Sequence, residues 1–230
     1  SMSGEVVLMT LVGGMGTKTE FLIPTLTATT WVPNAKTYLA LDGDLVGLFS
    51  ADGFNYTLRA NDTNGNAGIV QSLSGNDGND TLLGSSGRDL LDGGAGVNAL
   101  NGHGGNDALV IANSAADGVN FTNYTGQGST FDGGAGTDFL SVGGAVDFKG
   151  TLASIEGIYL QPATNVNGGV QRAAELKISG ATWAALPSNL ILDGAGTIII
   201  DLEGGQSIDT SQYSFEPGSN VVLQFINEGI

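Results

Sequence analysis

Between Gly75 and Val110 an oxygen-bearing side chain recurs every nine residues: Asp80, Asp89, Asn98, Asp107. Each holds the sixth place of a nonapeptide whose first place is glycine (Gly75, Gly84, Gly93, Gly102), as is its fourth (Gly78, Gly87, Gly96, Gly105). Glycine tolerates positive φ and close backbone approach, so six such residues can turn tightly and aim several main-chain carbonyls at one point. Carboxylates and carbonyls together form an oxygen-only donor set. Such a set suits a hard cation far better than zinc or copper.

The turns need something to hold them. Leucine occupies the eighth place of every unit (Leu82, Leu91, Leu100, Leu109), and the last three residues of each are long enough for a very short strand. Alternation along a strand sends the eighth residue to one face and the seventh and ninth to the other. The leucines are therefore expected to line an interior, with Thr81, Leu83, Leu90, Asp92, Ala99, Asn101, Ala108 and Val110 facing outward.

These four contiguous units resemble the calcium-binding nonapeptide repeat of RTX proteins, G-G-x-G-x-D-x-U-x, which builds a parallel β-roll. In that family two nonapeptides make one coil, and calcium sits between turns on the same edge. The resemblance implies that Asp80 faces the turn holding Asn98, that Asp89 faces the turn holding Asp107, and that glycine-turn carbonyls complete each shell. About two Ca²⁺ sites, or more, are expected on this basis. Asp77, at the third place of the first unit, joins the candidate ligands.

The units depart from the family pattern in two ways. Asn98 replaces an aspartate, which removes a charge and should weaken its site, although its amide oxygen can still ligate. Second-place glycine occurs only in the third unit (Gly94), with Asn76, Ser85 and His103 standing in its stead elsewhere. A fifth unit, Gly133-Gly-Ala-Gly-Thr-Asp-Phe-Leu-Ser141, matches best of all and adds Gly133, Gly134, Gly136 and Asp138 to the candidate metal-binding residues. Sequence leaves open whether it stacks on the first four. The alternative for the whole array is a glycine-rich turn stack that binds no metal.

Composition agrees with a cation-dependent β-rich protein. Of 230 residues 38 are glycine and only five proline, and the glycines fall in turns between apolar runs, which argues for many short strands. Twenty-three acidic residues against seven basic ones give a net charge of −16. That surface disfavours nucleic acid and anionic membranes, and its self-repulsion opposes compaction unless cations neutralise it. With no cysteine, disulfides, thiolate metal sites and thiol nucleophiles are excluded. No apolar run approaches the ~18 residues of a transmembrane helix, and no basic and apolar leader opens the chain. The resemblance accounts for the latter, since RTX proteins leave bacteria by type I secretion without one.

Along the chain, residues 1–4 read as a vector-derived remnant. Residues 5–74 read as a β-rich cap or small sandwich, with strands at Val6–Val12, Phe21–Thr30, Tyr38–Leu41, Leu45–Phe49 and Phe54–Arg59. Leu73 lies nine residues before Leu82, as a degenerate leading coil would place it. Asp62-Thr-Asn-Gly-Asn66 starts like a helix-loop-helix calcium loop, but Ala67 stands where that loop needs glycine and Leu73 where it needs glutamate. The roll spans 75–141 with an insertion at 111–132, whose alternating Val119–Thr125 suggests a projecting strand or hairpin. Residues 142–230 continue in short strands, with Ala181–Leu186 as one helical turn stopped by Pro187. They read as an irregular β-helix or a small sandwich, with Trp183, Phe148, Tyr159 and Phe215 as core or cap residues.

Catalysis finds little footing. A Ser/His/Asp hydrolase needs a histidine, and the single one, His103, sits inside a glycine turn. No nucleophile elbow, phosphate loop, dinucleotide fingerprint or zinc-protease helix is present. The expectation is therefore an all-β, parallel β-roll or solenoid. Its function would be that of a calcium-binding structural module of a secreted or cell-surface bacterial protein, such as an adhesin, surface-layer protein or toxin, and not an enzyme. Two readings stand as alternatives: a module binding a glycan, ice or a protein through Thr25–Thr30 or the insertion, and a polysaccharide-active β-helix enzyme. The second would need a carboxylate and basic cluster, for which Arg59, Arg88, Lys149, Arg172 and Lys177 are sparse and scattered.

Overall fold

The computed structural model describes residues 37–40, 47–49, 55–60, 70–75, 78–112, 128–162, 165–166, 169–170, 173–204 and 206–227. Asp77, the strands expected at 6–12 and 21–30, and the alternating run 119–125 lie outside these residues. The first strands are β1 (Thr37–Ala40), β2 (Gly47–Phe49), β3 (Tyr56–Arg59) and β4 (Gln71–Ser74). The repeats supply β5 (Thr81–Leu83), β6 (Asp89–Asp92), β7 (Ala99–Asn101) and β8 (Ala108–Ala112). After them come β9 (Thr130–Asp132), β10 (Phe139–Gly143), β11 (Ala145–Phe148), β12 (Thr151–Ala153) and β13 (Gly157–Leu160).

These strands form two parallel sheets, and up to β10 the partners in each are alternate strands of the sequence. One sheet runs β1-β3-β5-β7-β9-β12, and the other includes β2-β4-β6-β8-β10-β13. A chain that alternates between two sheets in this way is a coil of two strands per turn. Its interior is filled by the eighth-place residues. One ladder reads Leu58, Leu82, Leu100, Phe131 and Leu152, the facing ladder Leu73, Leu91, Leu109, Leu140, Ile158 and Leu192, and none of these exceeds 4% exposure. Each such side chain contributes about 1.5–3 kcal/mol on burial, so a three-residue strand is held by its one inward leucine more than by its length.

Two expectations change. The stack begins before residue 75: β3 and β4 lie in register under β5 and β6, with Leu58 and Leu73 in the leucine ladders. The described strands of 5–74 are thus rungs of the same two sheets and not a separate sandwich. The stretch 111–132 does not project as a whole, either. Ile111 and Ala112 finish β8, whose Ala112 pairs with Gly143, and Thr130–Asp132 is the rung β9. Ile111 and Phe131 are buried, and that apolar area ties both ends of the stretch into the core.

Towards the C terminus, β14 (Asn165–Val166) and β15 (Gly169–Val170) form an antiparallel pair. There follow β16 (Ala174–Ser179), the one-turn helix α1 (Gly180–Ala184), β17 (Ile191–Asp201), β18 (Ser214–Phe215) and β19 (Asn220–Ile226). Ser179 caps α1, its Oγ accepting the Thr182 N–H at 3.1 Å. β17 extends the roll by pairing with β13, and its second half pairs in parallel with β16 and β19. Trp183 and Phe148 are core residues, Trp183 donating its indole N–H to the Tyr213 hydroxyl at 2.8 Å. Phe215 is not: it follows Leu192 as the last rung of its ladder and is 49% exposed.

Candidate metal centre

Because rungs pair two nonapeptides apart, the glycine turns stack in two columns, one on each edge of the roll. On one edge the sixth-place side chains are Asp89, Asp107, Asp138 and then Glu156. From Asp107 onward, each accepts the main-chain N–H of the sixth residue one coil earlier. Asp107 Oδ1 takes Asp89 N at 2.8 Å, Asp138 Oδ1 takes Asp107 N at 2.7 Å, and Glu156 Oε2 takes Asp138 N at 2.9 Å. The fifth unit therefore stacks directly on the fourth. On the other edge Asn98 Oδ1 accepts from Asp80 N at 2.8 Å and Ser129 Oγ from Asn98 N at 3.0 Å. One edge is acidic at every step, and the other loses its charge after Asp80.

Every repeat turn except that of Asn98 also forms an oxygen-lined cradle at its first glycine. A methyl group on Gly75 would meet Asp80 Oδ2 at 2.6 Å and the Gly93 carbonyl at 2.8 Å. One on Gly84 would meet the Gly102 carbonyl at 2.5 Å and Asp89 Oδ2 at 2.8 Å, and one on Gly102 would strike Asp107 Oδ2 and the Gly133 carbonyl. Carboxylate and carbonyl oxygens from successive turns thus converge on one place. The fourth glycines leave room of another kind. Gly105 and Gly136, at φ of 111° and 151°, pass so close to the carbonyls of Gly87 and Gly105 that no side chain fits.

The carboxylates are deeply placed. Asp80, Asp89, Asp107 and Asp138 are at most 2% exposed, and Asp107 Oδ2 and Asp138 Oδ2 are buried without a hydrogen-bond partner. An orphaned buried carboxylate oxygen is costly unless a cation meets it. Burial, reinforced by the charges of Asp89 and Asp138, pushes the Asp107 carboxyl up to about 7 against the pull of the Asp89 N–H and Arg88. Burial also raises Asp138, with Glu156 and Asp132 adding to the effect. Among the described residues no three His, Cys, Asp or Glu side chains gather at one point, so carbonyls must supply much of any cation's shell. That donor set fits calcium, which takes six to eight oxygens, carbonyls included.

Residues 74–109 match the family model of the RTX calcium-binding nonapeptide repeat, in four copies. These units are RTX calcium-binding repeats. The chain matches no curated protein and no solved structure. The RTX turns bring together Asp80 with the Gly93–Asn98 turn, and Asp89 with the Gly102–Asp107 turn, as the resemblance implied. Second-place Gly94 and Gly134 lie at φ of 67° and 93°, and His103 adopts the same left-handed backbone at 66° without being glycine.

Asn98 behaves differently from its aspartate counterparts. Its oxygen is engaged by Asp80 N, and its Nδ2 donates to the Gly94 carbonyl at 3.2 Å, lying 2.8 Å from where a methyl on Gly93 would be. A donor therefore occupies the cradle where the other turns place a carboxylate oxygen. Sequence reasoning passed over several participants. Asn79 and Asn106, both at fifth places, accept Val97 N at 2.8 Å and Thr137 N at 3.1 Å and clamp successive turns together. Ser129 and Glu156 continue the two columns beyond the recognisable repeats. Glu156 had a signal, since it lies eighteen residues after Asp138. Ser129 lies 31 after Asn98, thirteen more than the eighteen that separate Asn98 from Asp80, which hides it.

Proposed function

We propose that this chain is a structural module of a secreted or cell-surface bacterial protein, ordered by external calcium, and that it performs no catalysis. The observation that carries this reading is the acidic edge, where Asp89, Asp107 and Asp138 follow one another one coil apart, buried beside converging carbonyls. Without a cation these like charges oppose stacking of the turns. Calcium that binds only the stacked form stabilises it by mass action. External calcium modules bind at about 10⁻⁴–10⁻³ M, so such a roll would stay loose in a calcium-poor cytosol and close outside. Adhesins, surface-layer proteins and toxins are the parents that would use such a spacer. His103 supports the non-catalytic reading: it is exposed in a repeat turn, its main-chain N–H bound to Asn101 Oδ1 at 2.8 Å.

Far-UV circular dichroism during a calcium titration, with magnesium as the control, tests this. β-Signal and melting temperature should rise with calcium and not with magnesium. An identical spectrum and melt in chelator and in calcium would leave a metal-free scaffold.

A further inference from the structure

The acidic column does not end where the repeats end. After the fifth unit the chain shortens its turn: Leu152 and Ile158, both inward rungs, are six residues apart, where Phe131 and Leu140 are nine apart. The short turn has neither first- nor fourth-place glycine, yet it rebuilds the same arrangement. The Ser154 carbonyl lies against Gly133 as the Gly133 carbonyl lies against Gly102. Asp138 Oδ2 reaches the same cradle, 2.7 Å from where a methyl on Gly133 would be. Ser154 takes a left-handed backbone, φ 51°, which is uncommon for a residue with a side chain. Glu156 replaces the aspartate and its longer side chain still reaches Asp138 N at 2.9 Å, while the Glu156 and Gly157 N–H groups return to the Asp138 carbonyl at 2.9 and 3.0 Å.

Asp138 itself supplies the independent sign of a ligand. It is fully buried, its Oδ1 accepts from Asp107 N, and its Oδ2 points into this cradle with no hydrogen-bond partner. We propose that the turn at 153–157 closes a further calcium site against the turn at 133–138, with Asp138 Oδ2, the Ser154 carbonyl and Glu156 as ligands. The site lies outside the matched repeats and terminates the column. Its donors are all oxygens of mixed type in an irregular turn, which favours calcium over the octahedral demands of magnesium. The inference rests on the calcium reading of the acidic edge.

Calcium stoichiometry, measured by equilibrium dialysis of the whole chain and of E156Q and S154G, tests it. Gln keeps an oxygen for Asp138 N, so E156Q should fold and lose one ion per chain, while S154G keeps its carbonyl and should lose none. Anomalous scattering from wild-type crystals grown in calcium gives a second readout that needs no variant: a peak is expected between Asp138 and Ser154. An unchanged ion count in E156Q, or peaks beside Asp89 and Asp107 with none beside Ser154, overturns this site alone. No bound calcium anywhere in the wild type overturns the calcium reading and this site with it.

Discussion

The two edges of the roll share one leucine core, one rung spacing and the same hydrogen-bond ladder, yet they differ in what stands at the sixth place. On the acidic edge three aspartates and a glutamate follow one another, and on the other edge Asp80 is followed by Asn98 and Ser129. The ladder needs only an oxygen acceptor, which asparagine and serine supply as well as aspartate does. Charge is therefore not needed for stacking, and on the acidic edge it works against stacking. Carboxylates standing where a neutral acceptor would serve are what the proposed calcium reading explains. The edge beyond Asp80, neutral at Asn98 and Ser129, is the roll's built-in control.

The largest difference between the edges should follow from Asp107→Ala set against Asn98→Ala. Each leaves a buried N–H without its acceptor, worth about 1–3 kcal/mol. Asp107→Ala should in addition remove most of the calcium-dependent rise in melting temperature, which one site at a hundredfold excess over its Kd sets at about 2.7 kcal/mol. Thermal melts in chelator and in calcium read both terms. Equal calcium responses in the two variants would erase the distinction between the edges.

Asp107→Asn keeps the acceptor and removes the charge, so its effect should change sign with calcium: a higher melting temperature than wild type in chelator, a lower one in calcium. The pH dependence carries the same logic. The folded Asp107 holds its proton up to about 7, above its ordinary 3.8, so between those values the folded chain binds a proton that the unfolded chain has released. In chelator, stability should fall as pH rises from about 4 to about 7 and level off above. Asp138 and Asp92, also raised by burial, act in the same direction. Calcium must displace that proton, so its affinity should fall as pH drops below about 7. Calorimetric titration at several pH values checks this, and Asp107→Asn should flatten both trends.

Asn98→Asp sharpens the comparison from the other side. It places a carboxylate oxygen where Nδ2 now stands, and should lower the calcium midpoint several-fold while destabilising the chelated roll. The smallest effect is expected from His103→Gly. It relieves a left-handed non-glycine residue but adds glycine's unfolded-state entropy, so stability should change by less than about 1 kcal/mol, equally with calcium or without.

Much of this was legible in the residues, because the repeat writes turn, strand and core into nine letters. The leucine period gave the interior, the glycine period gave the turns, and the family resemblance, with its two units per coil, put Asp89 opposite Asp107. What stayed hidden has physical causes. Leu58 stands in a nonapeptide without glycine at its first or fourth place, so its rung looked like a cap, whereas Leu73, nine residues before Leu82, was legible as a leading coil. Thirteen extra residues moved Ser129 out of register, although the core needs only Phe131 to resume. A shortened turn concealed Ser154, since a carbonyl can be delivered by a chain that lacks the motif, and only the eighteen-residue spacing from Asp138 pointed to Glu156. Asn98 shows the limit of reading residue types: an amide offers an oxygen and a nitrogen, and the ladder takes the oxygen.

Hydrogen–deuterium exchange with and without calcium tests the central claim most directly, since it reads each edge separately in one molecule. At about 10⁻³ M calcium, peptides carrying the turns at Asp89, Asp107 and Asp138 should gain strong protection relative to chelator, and those carrying Asn98 and Ser129 should gain much less. Equal protection of both edges, or no change on either, would contradict it.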